Sequence, residues 1–131
     1  MCIFCKIVSG DIPSIKVYED EHFLAFLDIN PYAKGHTLVI PKVHTESLLV
    51  APAEVRDSYL EVVQKVARAI SSATGLPDCT VLTRCGRSTG QEVNHIHFHI
   101  VPSSNEMPVF FSSRKVKYNM ENTAKKIMKM F

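Results

Sequence analysis

Residues 95–101 read His-Ile-His-Phe-His-Ile-Val. In an extended strand successive side chains point to opposite faces, so His95, His97 and His99 would share one face and Ile96, Phe98 and Ile100 the other. The apolar set can seal a core. Three imidazoles crowded together are poor material for stability, because each needs hydrogen-bond partners and protonating one opposes protonating the next. The row therefore points to chemistry, and two kinds could use it. Two or three of the rings can hold a metal. Alternatively, one neutral ring can act as a nucleophile while its neighbours bind a phosphate and donate protons. Gly86 and Gly90 place flexible backbone just ahead of the row, where N–H groups can approach an anion closely. Gln91 adds a neutral donor. These features favour an anionic substrate.

Cys2 and Cys5 form a second candidate cluster, a C-x-x-C pair that in an intracellular protein suggests a metal or redox site. Cys79 and Cys85 lie beside a predicted strand and are expected to be small buried apolar groups. Nothing suggests an oxidising compartment that would pair the four as disulfides.

The elements that must position these groups follow from turn chemistry and periodicity. Two short strands are expected at Ile15–Tyr18 and Phe23–Asp28, broken by Glu19-Asp20-Glu21. Residues 30–35 carry turn chemistry, and Thr37–Ile40 is a strand ended by Pro41. Pro52 opens a long helix whose apolar face is Val55, Tyr59, Val62, Val63, Val66, Ile70 and Ala73; Gly75 and Pro77 stop it. Strands follow at Thr80–Thr83 and Val93–Val101, and a helix from Asn119. Strands cluster before and after one long helix, which predicts an α+β fold with a mainly antiparallel sheet of about five strands and a C-terminal helix. No G-x-G-x-x-G or Walker loop is present, so nucleotide binding of those types is not indicated.

The chain of 131 residues is 46% hydrophobic and 21% charged, enough for one core, and one domain over 1–131 is expected. No apolar run approaches the roughly 18 residues that span a bilayer, and the N-terminus lacks a signal-peptide pattern. The expected setting is the cytoplasm, with the nucleus also open, and no membrane partner. Net charge is +2, with six basic residues against Glu121 in the last eighteen. Such a tail attracts phosphate-bearing partners or is a solvated helix face. No basic stretch with interleaved aromatics marks nucleic acid as a partner.

At this point the sequence resembles the histidine triad (HIT) superfamily, whose signature alternates three histidines with apolar residues, as in 95–101. Phe4-Cys5-Lys6-Ile7-Val8-x-Gly10, Ala25-Phe26-Leu27-Asp28-Ile29-x-Pro31, Gly35-His36-x-Leu38-Val39-Ile40-Pro41-Lys42-x-His44 and Gly90-Gln91-x-Val93-x-His95 extend the likeness over about residues 2–102. Within the superfamily the chain is most similar to the small Hint-type nucleotide-binding branch.

The resemblance implies that His97 attacks the α-phosphorus of a purine nucleotide and forms a covalent nucleotidyl-histidine. His99 would donate to a phosphoryl oxygen or the leaving group, and His36 would buttress the triad. Gln91 and loop N–H groups would stabilise phosphoryl charge. Asp28 would accept from both ribose hydroxyls, against the alternative of a turn-capping aspartate. Ile3, Phe4, Ile7, Phe26, Leu27 and Ile29, with Val93, would line the nucleotide pocket. Cys2, Cys5, His44 and His95 would hold a structural zinc, and no metal would be required for the reaction. The implied activity is hydrolysis of a purine nucleoside 5′-phosphoramidate, with a dinucleoside polyphosphate hydrolase or a nucleotide-binding signalling module as alternatives, and the implied assembly a homodimer. Two positions depart from the family pattern. Arg84 stands where an asparagine is usual, either favouring a more anionic leaving group or pointing to solvent. Glu92 stands where several members have Ser or Thr, and could act as an acid or repel a polyphosphate.

Overall fold

A computed structural model describes residues 2–103 and 116–131, so Arg114 and Lys115 of the basic tail lie outside it. The chain runs α1 (Ile3–Ser9), β1 (Lys16–Glu19), β2 (Phe23–Leu27), β3 (Thr37–Pro41), α2 (Ala53–Thr74), β4 (Asp78–Leu82), β5 (Phe98–Ser103) and α3 (Met120–Met128). All strand pairs are antiparallel, in the order β1-β2-β3-β5-β4. The expected α+β class with five strands, a long helix and a C-terminal helix is what forms. Helix α1 was not expected, because its seven residues carry too short a pattern to show a helical period.

The sheet is covered on both sides, and side-chain alternation sorts its residues between two cores. Phe23, Ala25, Leu27, Val39, Phe98 and Ile100 join Val55, Tyr59, Val62, Val63, Val66 and Ile70 of α2 in the larger one. Leu24, Phe26, Leu38 and Ile40 pack with Phe4 and Ile7 of α1 in the smaller. The periodic face of α2 is thus buried as its spacing predicts, with Ala73 partly buried. Pro52 precedes the first turn and Gly75 ends the helix in the left-handed conformation. Asn119 caps α3 by accepting from the Asn122 N–H at 3.0 Å, and α3 lies against α2 and β1. Gly35, at φ +89°, lets the turn before β3 press on α2: a Cβ there would sit 3.2 Å from the Thr74 methyl. Among the described residues no helix is long and apolar enough to cross a membrane.

Two expectations are corrected here. The strand predicted over Val93–Val101 begins only at Phe98, so His95 and His97 sit in irregular chain before it and strand alternation does not place them. Cys79 is exposed, because β4 is the edge of the sheet and has no strand on its outer side among the described residues, and Cys85 is half-buried in the loop beyond it. Periodicity cannot reveal which strand is outermost.

Candidate functional site

Helix α1 and the chain before β5 meet at the cysteines. The Cys2 sulfur accepts from the Cys5 N–H at 3.4 Å, which caps α1. His95 Nδ1 lies 3.4 Å from Cys2 Sγ and 3.6 Å from Cys5 Sγ, and His44 Nδ1 lies 3.4 Å from Cys5 Sγ. A tetrahedral zinc with ordinary Zn–S and Zn–N bonds separates such atoms by about 3.5 Å, so the four donors fit the ion. His95 is fully buried, and its Nε2 lies 2.8 Å from the Pro41 carbonyl. A carbonyl only accepts, so Nε2 carries the proton and Nδ1 turns a lone pair toward the sulfurs. Burial holds the His95 pKa down at about 4, so the ring is neutral, as a ligand must be. Burial and the neighbouring Cys2 raise the Cys5 thiol, and a divalent cation is what would hold both sulfurs as thiolates.

His97 has the opposite arrangement. Its Nδ1 donates to the His95 carbonyl at 2.7 Å, so the lone pair is on Nε2, which has no partner among the described residues. The Thr83 hydroxyl donates to the His97 carbonyl at 2.9 Å and fixes the backbone. Phe4 stands edge-on to the ring at 5.0 Å between centroids. Burial lowers the His97 pKa; the His95 carbonyl and Asp28 oppose this, and Arg84 reinforces it. The outcome is a neutral imidazole with one nitrogen available.

A chain of donors fixes His99 in turn. The Tyr32 N–H donates to His36 Nδ1 at 3.1 Å, so His36 carries its proton on Nε2, which faces His99 Nδ1 at 3.0 Å. His99 must then keep its own proton on Nε2. Burial, followed by His97 and His36, depresses its pKa to about 3. Asp28, His36 and His99 also gather donor atoms at metal-binding separations, but the Tyr32 N–H occupies one His36 nitrogen and a proton the other. That trio is a hydrogen-bond relay rather than a ligand set. Tyr32 and Thr83 were not singled out from sequence; only the turn chemistry of residues 30–35 hinted at the first.

Other predicted residues divide. Asp28 accepts from the Asn30 N–H at 2.8 Å through Oδ1, while Oδ2 lies 3.5 Å from His36 Nε2. It is both a turn cap and a member of the histidine cluster. Phe4, Ile7 and Phe26 are on the histidine face. Val93 packs against them and, with Ile3, Cys2, Cys5, His44, Glu92 and Asn94, borders an open depression of about 640 Å³. Ile29 is 79% exposed. Leu27 lies in the α2 core, because it points opposite to Phe26. Gln91 is not aimed at a substrate: its Oε1 accepts from the Gly86 N–H at 2.7 Å, and Nε2 donates to the Glu46 and Val93 carbonyls at 2.8 and 3.0 Å. It ties the glycine loop shut, because a buried amide takes the backbone partners closest to it.

A HIT domain match covers residues 9–106 of this sequence. The chain belongs to the HIT family. An adenosine 5′-monophosphoramidase of Schizosaccharomyces pombe is 49% identical over 105 residues, covering 80% of this chain and 76% of that protein. A HIT-like protein of Bartonella henselae has the same fold at a TM-score of 0.91 and 37% identity, covering 99% of this chain and 96% of the other. A zinc-bound histidine triad protein of Mycobacterium smegmatis superimposes at 0.90 with 39% identity, covering 98% and 91%.

Proposed function

We propose that this HIT protein hydrolyses a purine nucleoside 5′-phosphoramidate to the nucleoside monophosphate and an amine, through a covalent nucleotidyl-His97. The observation that carries the reading is the assignment of protons: a bare, neutral Nε2 on His97 beside an N–H on His99. Neutral imidazole is nucleophilic at pH 7. As the His97 Nε2–phosphorus bond forms, the bond to the leaving nitrogen breaks and the amine departs with a proton from water. The ring becomes cationic, and the His95 carbonyl on its Nδ1–H stabilises that charge. His99 Nε2–H donates to a phosphoryl oxygen and is oriented by His36. Water then displaces His97 at phosphorus, releasing the monophosphate and restoring the neutral ring.

The second Asp28 oxygen is available to a ribose hydroxyl, and Phe4, Ile7 and Phe26 supply apolar surface for a base. The S. pombe relative, named for phosphoramidase activity, supports the choice of reaction. Cys2, Cys5, His44 and His95 would hold a zinc, which supplies structural cross-linking of the N-terminus to the chain before β5; the zinc-bound neighbour supports this. Homodimerisation through α2 and the β4 edge fits the exposed Leu60, Cys79 and Val81, and light scattering at micromolar concentration decides it. The enzymatic reading is tested by quenching turnover of a labelled nucleotide without acid and mapping the modified peptide. Label on His97 is expected; turnover with no adduct there overturns the mechanism.

A further inference from the structure

The C-x-x-C pair is read above as two zinc ligands, and its other chemistry, that of a dithiol, is not used there. Local structure brings the two sulfurs together. Cys2 stands at the N-terminal cap of α1 and Cys5 in its first turn, and the Cys5 N–H holds the Cys2 sulfur over that turn at 3.4 Å. Both sulfurs approach the same nitrogen, His95 Nδ1, at 3.4 and 3.6 Å, and all four donors of the cluster lie within 4.8 Å of one another. Residues three apart on a helix have Cβ atoms about 5–6 Å apart, against about 3.5–4.5 Å in a disulfide. Closing the bond therefore needs only a small shift of Cys2, which precedes the helix. An oxidant can reach the pair: neither cysteine is buried, and both border the open depression of about 640 Å³. The remaining thiols have no such neighbour. Cys79 lies on the outer strand β4 and Cys85 in the loop beyond it, and neither belongs to a donor cluster among the described residues.

We infer that Cys2 and Cys5 are a redox modification site: a peroxide converts the pair to a disulfide, and the zinc held with His44 and His95 is released. The release rests on the zinc reading above, whereas the disulfide rests on the cysteine geometry alone. In the first step one sulfur gives an electron pair to a peroxide oxygen, the O–O bond breaks, and a sulfenic acid forms as water leaves. The second sulfur then displaces the hydroxyl as water and forms the S–S bond. Two thiols and one hydrogen peroxide thus give one disulfide and two waters. Sulfur loses two electrons and the peroxide oxygens gain them. A sulfenic acid with a thiol a few ångströms away closes before it meets a second peroxide, which separates this pair from a lone thiol. Zinc takes cysteine as the thiolate, and a disulfide sulfur carries no such charge. Two of the four donors are therefore lost at once, and His44 and His95 alone do not make a closed structural site.

The test treats the zinc-loaded full chain with hydrogen peroxide at neutral pH and reads non-reducing peptide maps, intact mass and the zinc freed to a chromogenic chelator. The expected product has lost two hydrogens, carries a Cys2–Cys5 link, has released about one zinc per link, and returns to the dithiol with dithiothreitol. Cys79 is the internal comparison: an isolated thiol gains oxygen instead, and Cys79→Ser should form the link unchanged. Cys5→Ser removes the neighbour, so Cys2 should gain oxygen and disulfide formation should fall about tenfold or more. Oxygen gained at Cys2 and Cys5 without a link, a link through Cys79 or Cys85 instead, or a pair that stays reduced while Cys79 is oxidised overturns the inference. A link that leaves the zinc bound overturns the release. If the protein takes up no zinc before oxidation, the zinc reading fails, and the same peptide maps then decide the dithiol by themselves.

Discussion

His95 and His97 stand two residues apart, are both buried, and each donates one ring proton to a backbone carbonyl. They differ in which nitrogen donates. His95 gives Nε2–H to Pro41 and turns Nδ1 to the cysteine sulfurs; His97 gives Nδ1–H to the residue 95 carbonyl and keeps Nε2 bare. In the proposed reading, identical side chains are thus divided between a ligand set and a nucleophile by the placement of two acceptors. The backbone selects the tautomer of each ring, and with it the nitrogen that is left exposed to a partner.

Exchanging the roles should fail in opposite ways. His97→Ala is expected to lose about 1,000-fold or more in kcat while keeping its zinc and melting temperature. His95→Ala should lose zinc and about 2 kcal/mol or more of stability, roughly 7 °C in a chain of this length. Metal analysis, calorimetry and initial rates read all of these; a zinc-free His97→Ala or a fully loaded His95→Ala would erase the division. A smaller effect tests the relay on the reacting side. His36→Phe removes the donor that orients His99, and kcat should fall about 10- to 100-fold with little change in KM. His36→Gln, which can still donate, should recover part of the loss, and equal damage in both would reduce His36 to packing. The smallest effect concerns protons. His99 titrates near 3 when folded and near 6.5 when unfolded, so below pH 6.5 the unfolded chain binds protons first. Stability to denaturant should therefore decline as pH falls below 6.5, by at most about 1.4 kcal/mol per unit from this group, and show no contribution from it above that. Denaturation curves at pH 7 and 5 in wild type and His99→Phe test this; equal slopes would mean that His99 is not held neutral.

The legible parts of the molecule were those written as a period or a punctuation mark. Val55 through Ile70 recur at helical spacing and are buried as a face; Gly75 stops α2; Asn119 starts α3. The histidine row announced a site, but alternation gave the wrong reason for its geometry, since only His99 lies in β5. His95 and His97 are aimed by carbonyls at positions 41 and 95, and no local pattern encodes a contact across 54 residues. Gln91 looked like a phosphate donor because a loop amide near glycines has that chemistry; its three backbone partners exist only after the loop has closed. Leu27 was grouped with Phe26 by the family resemblance, although neighbours on a strand face opposite ways. For Cys79 the missing fact was strand order.

Cys2 is at once a sulfur of the four-donor cluster and the cap of α1, and Phe4, two residues later, stands against the rings of both His95 and His97. The opening turn of the polypeptide therefore joins the cysteine cluster to the ring of His97 through one intervening side chain. A change of oxidation state or of bound metal at Cys2 would be felt at two rings of the histidine row through a single phenyl group.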